Sequence, residues 1–380
     1  MLEEDATSQD GYGPSRALTR RALLAILGTT ALAAMAPLSA CSEDAPGNEL
    51  DQSDSGPQEP AGISASQAVC TDDERSYRVR FSTGSIVSAA LDGTGEPTEL
   101  YTNGYPRLTG IRYLLVQDGT VFFGDVPSGE VRSVPVDGGE AATVFAPNST
   151  ASQGATPRAL EDGRLYVAST DTQTNQCALY SVSPAGGELQ LHLTLPAGYT
   201  LRGLDAPRGH VWYAGPNADD HRELHFCNLD GSGDVVAHVM DGSPSADASI
   251  ACLQRGERVY AYLECASTPS SQLYSYALDG SDERLERDFA SQCFAAGSDG
   301  ATLYLVDRAS FSLVSASLDD PQALASVAQI PQLTTQTKVS FVECAGGAVW
   351  VTTYTADADD ATALLTYRVD VATGEVTVIS

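Results

Sequence analysis

One short pattern returns seven times along the chain, in its fullest form as Leu273-Tyr-Ser-Tyr-Ala-Leu-Asp-Gly280. With the residue before the Asp-Gly turn as anchor, the copies stand at Leu91, Val136, Pro184, Leu229, Leu278, Leu318 and Val369, spaced by 40 to 51 residues. Upstream of each anchor lies an aromatic-bearing apolar run. These are Tyr77–Phe81, Val121–Phe123, Leu165–Val167, Val211–Tyr213, Val259–Tyr262, Leu303–Leu305 and Val349–Val351. Two registers repeating together point to one supersecondary unit, which buries its apolar faces only against its neighbours.

Each unit reads as four short strands. In the fifth, Ile250–Leu253 is the expected inner strand, followed by Arg258–Leu263, Gln272–Leu278 and an outer Arg284–Phe289. β-Branched and aromatic residues fill these runs, and Gly, Asp and Pro separate them. The runs do not alternate cleanly between apolar and polar, as expected for sheets covered on both faces. Small residues at the third position of the third strand (Ser88, Ser133, Ser181, Ser275, Ser315, Thr366) would let adjacent sheets approach closely. The expectation is an all-β, seven-bladed β-propeller over residues 67–380, with six or eight blades, or a β-solenoid, as the alternatives.

The segment Phe81-Ser-Thr-Gly-Ser-Ile-Val-Ser-Ala-Ala-Leu-Asp-Gly-Thr-Gly95 resembles the repeat of the YWTD propellers of lipoprotein receptors. It is also similar to bacterial lipoprotein propellers with receptor-like domains of unknown function. The Tyr-Trp-Thr-Asp tetrapeptide itself is absent, and there are seven units where the receptor family has six. The resemblance implies a propeller that binds other macromolecules; it supplies no catalytic residues.

The N-terminal region reads as an export signal. Arg16, Arg20 and Arg21 precede an apolar run from Ala22 to Leu38, and then comes Leu38-Ser-Ala-Cys41. A charged segment, a short apolar stretch and small residues before the cut describe a secretory signal over residues 1–40. Cys41 after Leu-Ser-Ala matches a bacterial lipobox, and Thr19-Arg-Arg-Ala-Leu-Leu24 resembles a twin-arginine signal. Lipidation at Cys41 would hold the protein outside the cytoplasm at the cell envelope. Residues 41–66, rich in Ser, Asp, Glu, Pro and Gly, read as a disordered tether.

The chain has 50 acidic against 21 basic residues, a formal charge of −29. Such a charge repels nucleic acid and anionic lipid. No nucleic-acid partner is expected, membrane contact runs only through the anchor, and the body is expected to be a monomer. Seven further cysteines lack the paired spacing of a zinc site, and disulfides are allowed outside the cytoplasm. Cys70 with Cys344 is the expected ring-closing pair, and Cys252 with Cys293 the next. Cys177 and Cys227, on third strands, are further candidates, and Cys265 is expected in a loop as the odd thiol.

Catalytic constellations are scarce. The five histidines, at 192, 210, 221, 225 and 238, read as solvent-facing loop and strand residues. There is no Gly-x-Ser-x-Gly elbow and no phosphate loop. No cofactor is expected, although Asp72-Asp73, Asp219-Asp220 and Asp357-Ala-Asp359-Asp360 supply the oxygen-rich loops that calcium uses. Loops between second and third strands read as long in units three, four, five and seven and short elsewhere. Function concentrates on variable loops over a rigid scaffold. The candidate binding face therefore carries Asn175, Asp219, Asp220, Glu264, Asp357, Asp359 and Asp360, suited to a cationic or polyhydroxyl partner such as an envelope protein or glycan. Two function classes stay open. One is a non-catalytic binding or scaffolding protein. The other is a propeller enzyme of lyase or lactonase type, with a metal in the central channel.

Overall fold

Seven antiparallel sheets follow one another along the chain, and in each the consecutive strands run from inner to outer; one early strand alone crosses over, to the second sheet. The computed structural model describes residues 64–66, 68–92, 94–106, 110–147, 152–245, 248–265, 271–289, 293–331, 333, 337–355 and 365–379. All the regular structure among these residues is β, and the sheets are the seven four-stranded blades of a propeller. In the fifth blade the strands are Ala248–Arg255, Arg258–Cys265, Ser271–Ala277 and Arg284–Phe289, close to the sequence reading.

Each sheet is covered on both sides, so alternate residues of one strand serve different neighbours. In the fourth blade Val211 and Tyr213 pack toward blade three, while Trp212 and Ala214 pack toward blade five. That explains why the strands read as mixed rather than alternating. The small third-strand residues sit opposite a second-strand aromatic: Tyr77 faces Ser88, Phe122 faces Ser133, Tyr166 faces Ser181, Tyr260 faces Ser275 and Tyr304 faces Ser315. Blade seven departs by two positions. There Trp350 faces Arg368, and Thr366 pairs with Thr352.

The Asp-Gly turns repeat for a local reason. Asp92, Asp230 and Asp279 each accept a backbone N–H and a hydroxyl from Thr94, Ser232 and Ser281, two residues on. This is the Asx geometry that makes Asp a turn former.

Blades one and seven close the ring without a covalent bond. Ala68 N–H donates to Glu343 Oε1 at 2.8 Å, Arg368 Nε donates to the Leu91 carbonyl at 3.2 Å, and Phe81 stacks on Phe341 at 6.1 Å. The expected disulfides do not form: all seven described cysteines are buried thiols. The pleat is the reason. Cys70 packs in the cluster shared by blades one, two and seven, whereas Cys344 points to the other face of blade seven, among Tyr304, Val306 and Leu313 of blade six. Likewise Cys252 faces blade four and Cys293 faces blade five. Cys177 and Cys227 share one cluster but lie at opposite ends of their strands, opposite Thr170 and Val211 respectively. Cys265 ends a strand rather than sitting in a loop.

Ser64–Ser66, read from sequence as the end of the tether, pairs with Ile111–Gln117, the inner strand of blade two. It forms a fifth strand on the axis side of that blade. Cys41 and the rest of residues 1–63 lie outside the described residues.

Candidate functional site

The two faces of the ring differ in relief. Second and third strands are six residues each in blades one, two and six. They are eight and seven in blade three, seven and eight in blade four, and eight and seven in blade five. The registers align at the other end, so the extra residues all project on the face of the second-to-third-strand loops. At about 3.3 Å per residue, these hairpins stand roughly 3–7 Å higher than those of blade six.

This corrects the reading of long loops. In blades three and four the connecting loops are residues 172–175 and 217–220, no longer than 308–311 in blade six. The length had gone into strand. A cleft of ≈ 230 Å³ opens beside the blade-three hairpin, lined among others by Phe145, Ser169, Asp171, Gln176, Tyr180 and Leu189.

The expected rim residues do different work. Asp219 is exposed, and its N–H donates to Asn217 Oδ1 at 3.0 Å. Asn175 and Asp220 take positive φ, 54° and 61°, to turn their loops. The Asp220 carboxylate accepts the Ser245 hydroxyl at 2.5 Å and so ties the hairpin to the next connection. Glu264 is the penultimate residue of the second strand of blade five, half-buried, and burial pushes its carboxyl up to about 7. Asp357, Asp359 and Asp360 lie outside the described residues. Asp72 is engaged by Glu74 N–H, Arg75 N–H and the Tyr77 hydroxyl. Among the described residues, no three His, Cys, Asp or Glu side chains are placed to hold a metal.

Two buried polar clusters escaped the sequence reading, and both centre on blade four. In the first, His225 is 7% exposed rather than solvent-facing. Its Nε2 lies 2.8 Å from Glu223 Oε1 and its Nδ1 3.1 Å from Asp234 Oδ1. Tyr199 donates to Glu223 at 2.5 Å and Tyr213 to Asp234 at 2.7 Å. Burial raises the Glu223 carboxyl, but hydrogen bonds from Tyr199 and His225 outweigh it and hold the group below its ordinary value. Burial, and then the carboxylate partners, push both tyrosines up. Buried polar groups so satisfied fix one arrangement.

The second cluster is cationic. Arg202 lies at a register break in the inner strand Thr200–Asp205, between the pairs Leu201–Tyr213 and Gly203–Trp212. Arg158 occupies the equivalent break in blade three, between Pro157–Val167 and Ala159–Tyr166. In blade two the break spans Tyr113, whose φ is 55°. Such bulges re-aim side chains and recur beside functional sites. The Arg158 guanidinium sits 4.2 Å from the centre of the Tyr113 ring. Arg202 is 2% exposed, and none of its three guanidinium nitrogens has a hydrogen-bond partner. Its strongest electrostatic neighbours are Arg222, the Cys252 thiol, Tyr113 and Arg158; burial first, then Arg222, pulls it down to about 9. Arg222 in turn donates through Nε and Nη2 to the Ser245 carbonyl, at 3.1 and 3.0 Å. Gly203 is required beside the bulge, because a Cβ there would come within 2.4 Å of Trp212 Nε1. That indole N–H also lacks an acceptor. Burying an ion without a counter-charge costs several kcal/mol, so the arrangement is not explained by stability. The signal in the sequence was a repeat within the repeat, Thr156-Pro-Arg-Ala-Leu-Glu161 and Thr200-Leu-Arg-Gly-Leu-Asp205.

No protein-family model matches the chain, and no curated protein matches it. Solved structures share its fold. An oligogalacturonate lyase from Vibrio parahaemolyticus is 12% identical, with 81% of this chain covering 91% of that one at a TM-score of 0.57. A prolyl endopeptidase is 13% identical with a TM-score of 0.48, over 71% of this chain; the chain spans 49% of that protein's length. A chain of a nidogen/laminin complex is 16% identical, with a TM-score of 0.41 over 68% of this chain and 90% of that one. At 12% identity the likeness to the lyase is one of fold, and fold alone does not decide function.

Proposed function

We propose that this chain is an exported, lipid-anchored binding protein of the cell envelope that engages its partner on the face of the raised hairpins. The observation that carries the binding reading is the run of lengthened hairpins in three consecutive blades, all projecting on one face. Rigid strands hold those loops where a partner meets them first. The anchor and the envelope location rest on the arginines, the apolar run and Cys41 of the N-terminal sequence. A cationic protein or a glycan suits the exposed Asp219 and its neighbours on this face.

Photo-crosslinking amino acids placed in living cells at Thr174 and Asp219, and on the opposite face at Asp137 and Asp230, test the reading. Cross-links to one envelope component from the first pair only are expected; cross-links from the second pair only would overturn the assignment. Cys41→Ser should leave an unprocessed precursor, and a mature N-terminus elsewhere by mass spectrometry would remove the anchor.

A further inference from the structure

We propose that Arg158, Arg202 and Arg222 form a binding site for the oxyanion of a small ligand, a carboxylate or a phosphate. The site goes beyond the partner-binding reading and does not depend on it. Two further arginines, Arg222 and Arg158, act electrostatically on buried Arg202 in a protein with more than twice as many acidic as basic residues. The acids of this chain satisfy arginines elsewhere: Arg208 meets Asp205 at 2.7 Å, Arg258 meets Asp282 at 2.7 Å and Arg255 meets Asp319 at 2.7 Å. Arg202 has no such partner among the described residues. It is buried with all its donors unmade, and its two strongest charged neighbours repel it.

A guanidinium presents paired donors in the geometry that carboxylates and phosphates accept. The other elements fit such a ligand. Arg222 is held in place by Ser245, Tyr113 offers an aromatic face already used by Arg158, and Trp212 adds a neutral N–H that has no acceptor. Arg158 is half-buried, so the cluster is not sealed from water. Two of the three arginines sit on equivalent bulges of neighbouring inner strands, Arg158 in blade three and Arg202 in blade four. The fold therefore presents them side by side, while blade six carries the apolar Phe294-Ala-Ala296 at its own break.

The test is thermal unfolding of the purified full chain with inorganic phosphate, and separately with glucuronate, each at roughly 10 mM against chloride of matched ionic strength. Ligand that binds only the folded state raises the midpoint, here by about 3–5 °C for binding near 0.1 mM. Arg202→Leu should abolish that rise and leave the ligand-free midpoint at or above wild type, since it removes a buried uncompensated charge. Arg222→Gln should reduce the rise. A shift with phosphate alone assigns a phosphorylated ligand; a shift with glucuronate, alone or with phosphate, assigns a carboxylate-bearing one. Three results would each overturn the proposal. They are no shift with either anion, an undiminished shift in Arg202→Leu, and a ligand-free midpoint several degrees below wild type in that variant, which would mean that Arg202 holds the fold.

Discussion

Blades four and six are built on one plan and bury opposite things. Blade six turns Leu303, Leu305, Val306 and Leu313 inward and keeps its hairpin short. Blade four buries Arg202, Arg222, Glu223 and His225 in addition to its apolar residues, and raises its hairpin. A scaffold needs only the first pattern, because close-packed apolar faces stabilise it by themselves. Polar groups placed in such a core without a stabilising reason are where sequence-level rules break for function. That contrast is the ground on which the proposed sites are placed in blade four and its neighbours.

The sharpest contrast is in packing. Leu305→Ala in blade six removes a fully buried side chain and should cost about 2–5 kcal/mol in chemical denaturation. A cost under about 1 kcal/mol would show that blade six is not the scaffold side. In blade four, His225→Ala leaves Glu223 and Asp234 without their shared partner. It should cost about 1–3 kcal/mol. His238→Ala, on the outer strand with an exposed Glu283 partner, should cost less than about 0.5 kcal/mol.

Titration separates the blades further. Glu223 is held below its ordinary value, so the stability it contributes is present above its unfolded pKa and is lost as pH falls through the lower folded value. The gap between wild type and Glu223→Gln should narrow as pH falls below the ordinary Glu range. Glu264 runs the other way. Its folded value, about 7, exceeds the ordinary 4.5, so the folded state keeps a proton that the unfolded state has lost. Stability declines as pH rises between those values, and Glu264→Gln should gain about 3 kcal/mol at pH 8 and nothing at pH 4. The smallest effect belongs to Asp219→Asn. An exposed loop charge should change stability within about 0.5 kcal/mol while slowing association with a cationic partner.

Much of the fold was legible in the sequence because the repeat is enforced by local chemistry. Asp-Gly-Ser and Asp-Gly-Thr turns cap themselves, and second-strand aromatics demand small residues opposite, so both registers survive drift elsewhere. Blade seven shows the limit. There the turn after Val369 is longer, and the small-residue slot belongs to Arg368 rather than Thr366. Cysteine pairing was not legible, because which side of a blade a residue faces depends on one-residue register, and bulges change it mid-strand. The paired acids of blade four were legible as turn residues, yet not told apart. Asp219 and Asp220 are both exposed, and only the structure shows that Asp220 accepts the Ser245 hydroxyl. The arginine cluster joins residues from separate blades, and no spacing within one unit announces it.

Residue-resolved hydrogen exchange of the full chain, with and without phosphate or glucuronate, tests the contrast between the blades most directly. The account predicts slowed exchange in Thr200–Asp205 and in the neighbouring inner strand Ser152–Glu161, with Thr302–Asp307 of blade six unchanged. Equal slowing in blades four and six, or slowing confined to blade six, would contradict it.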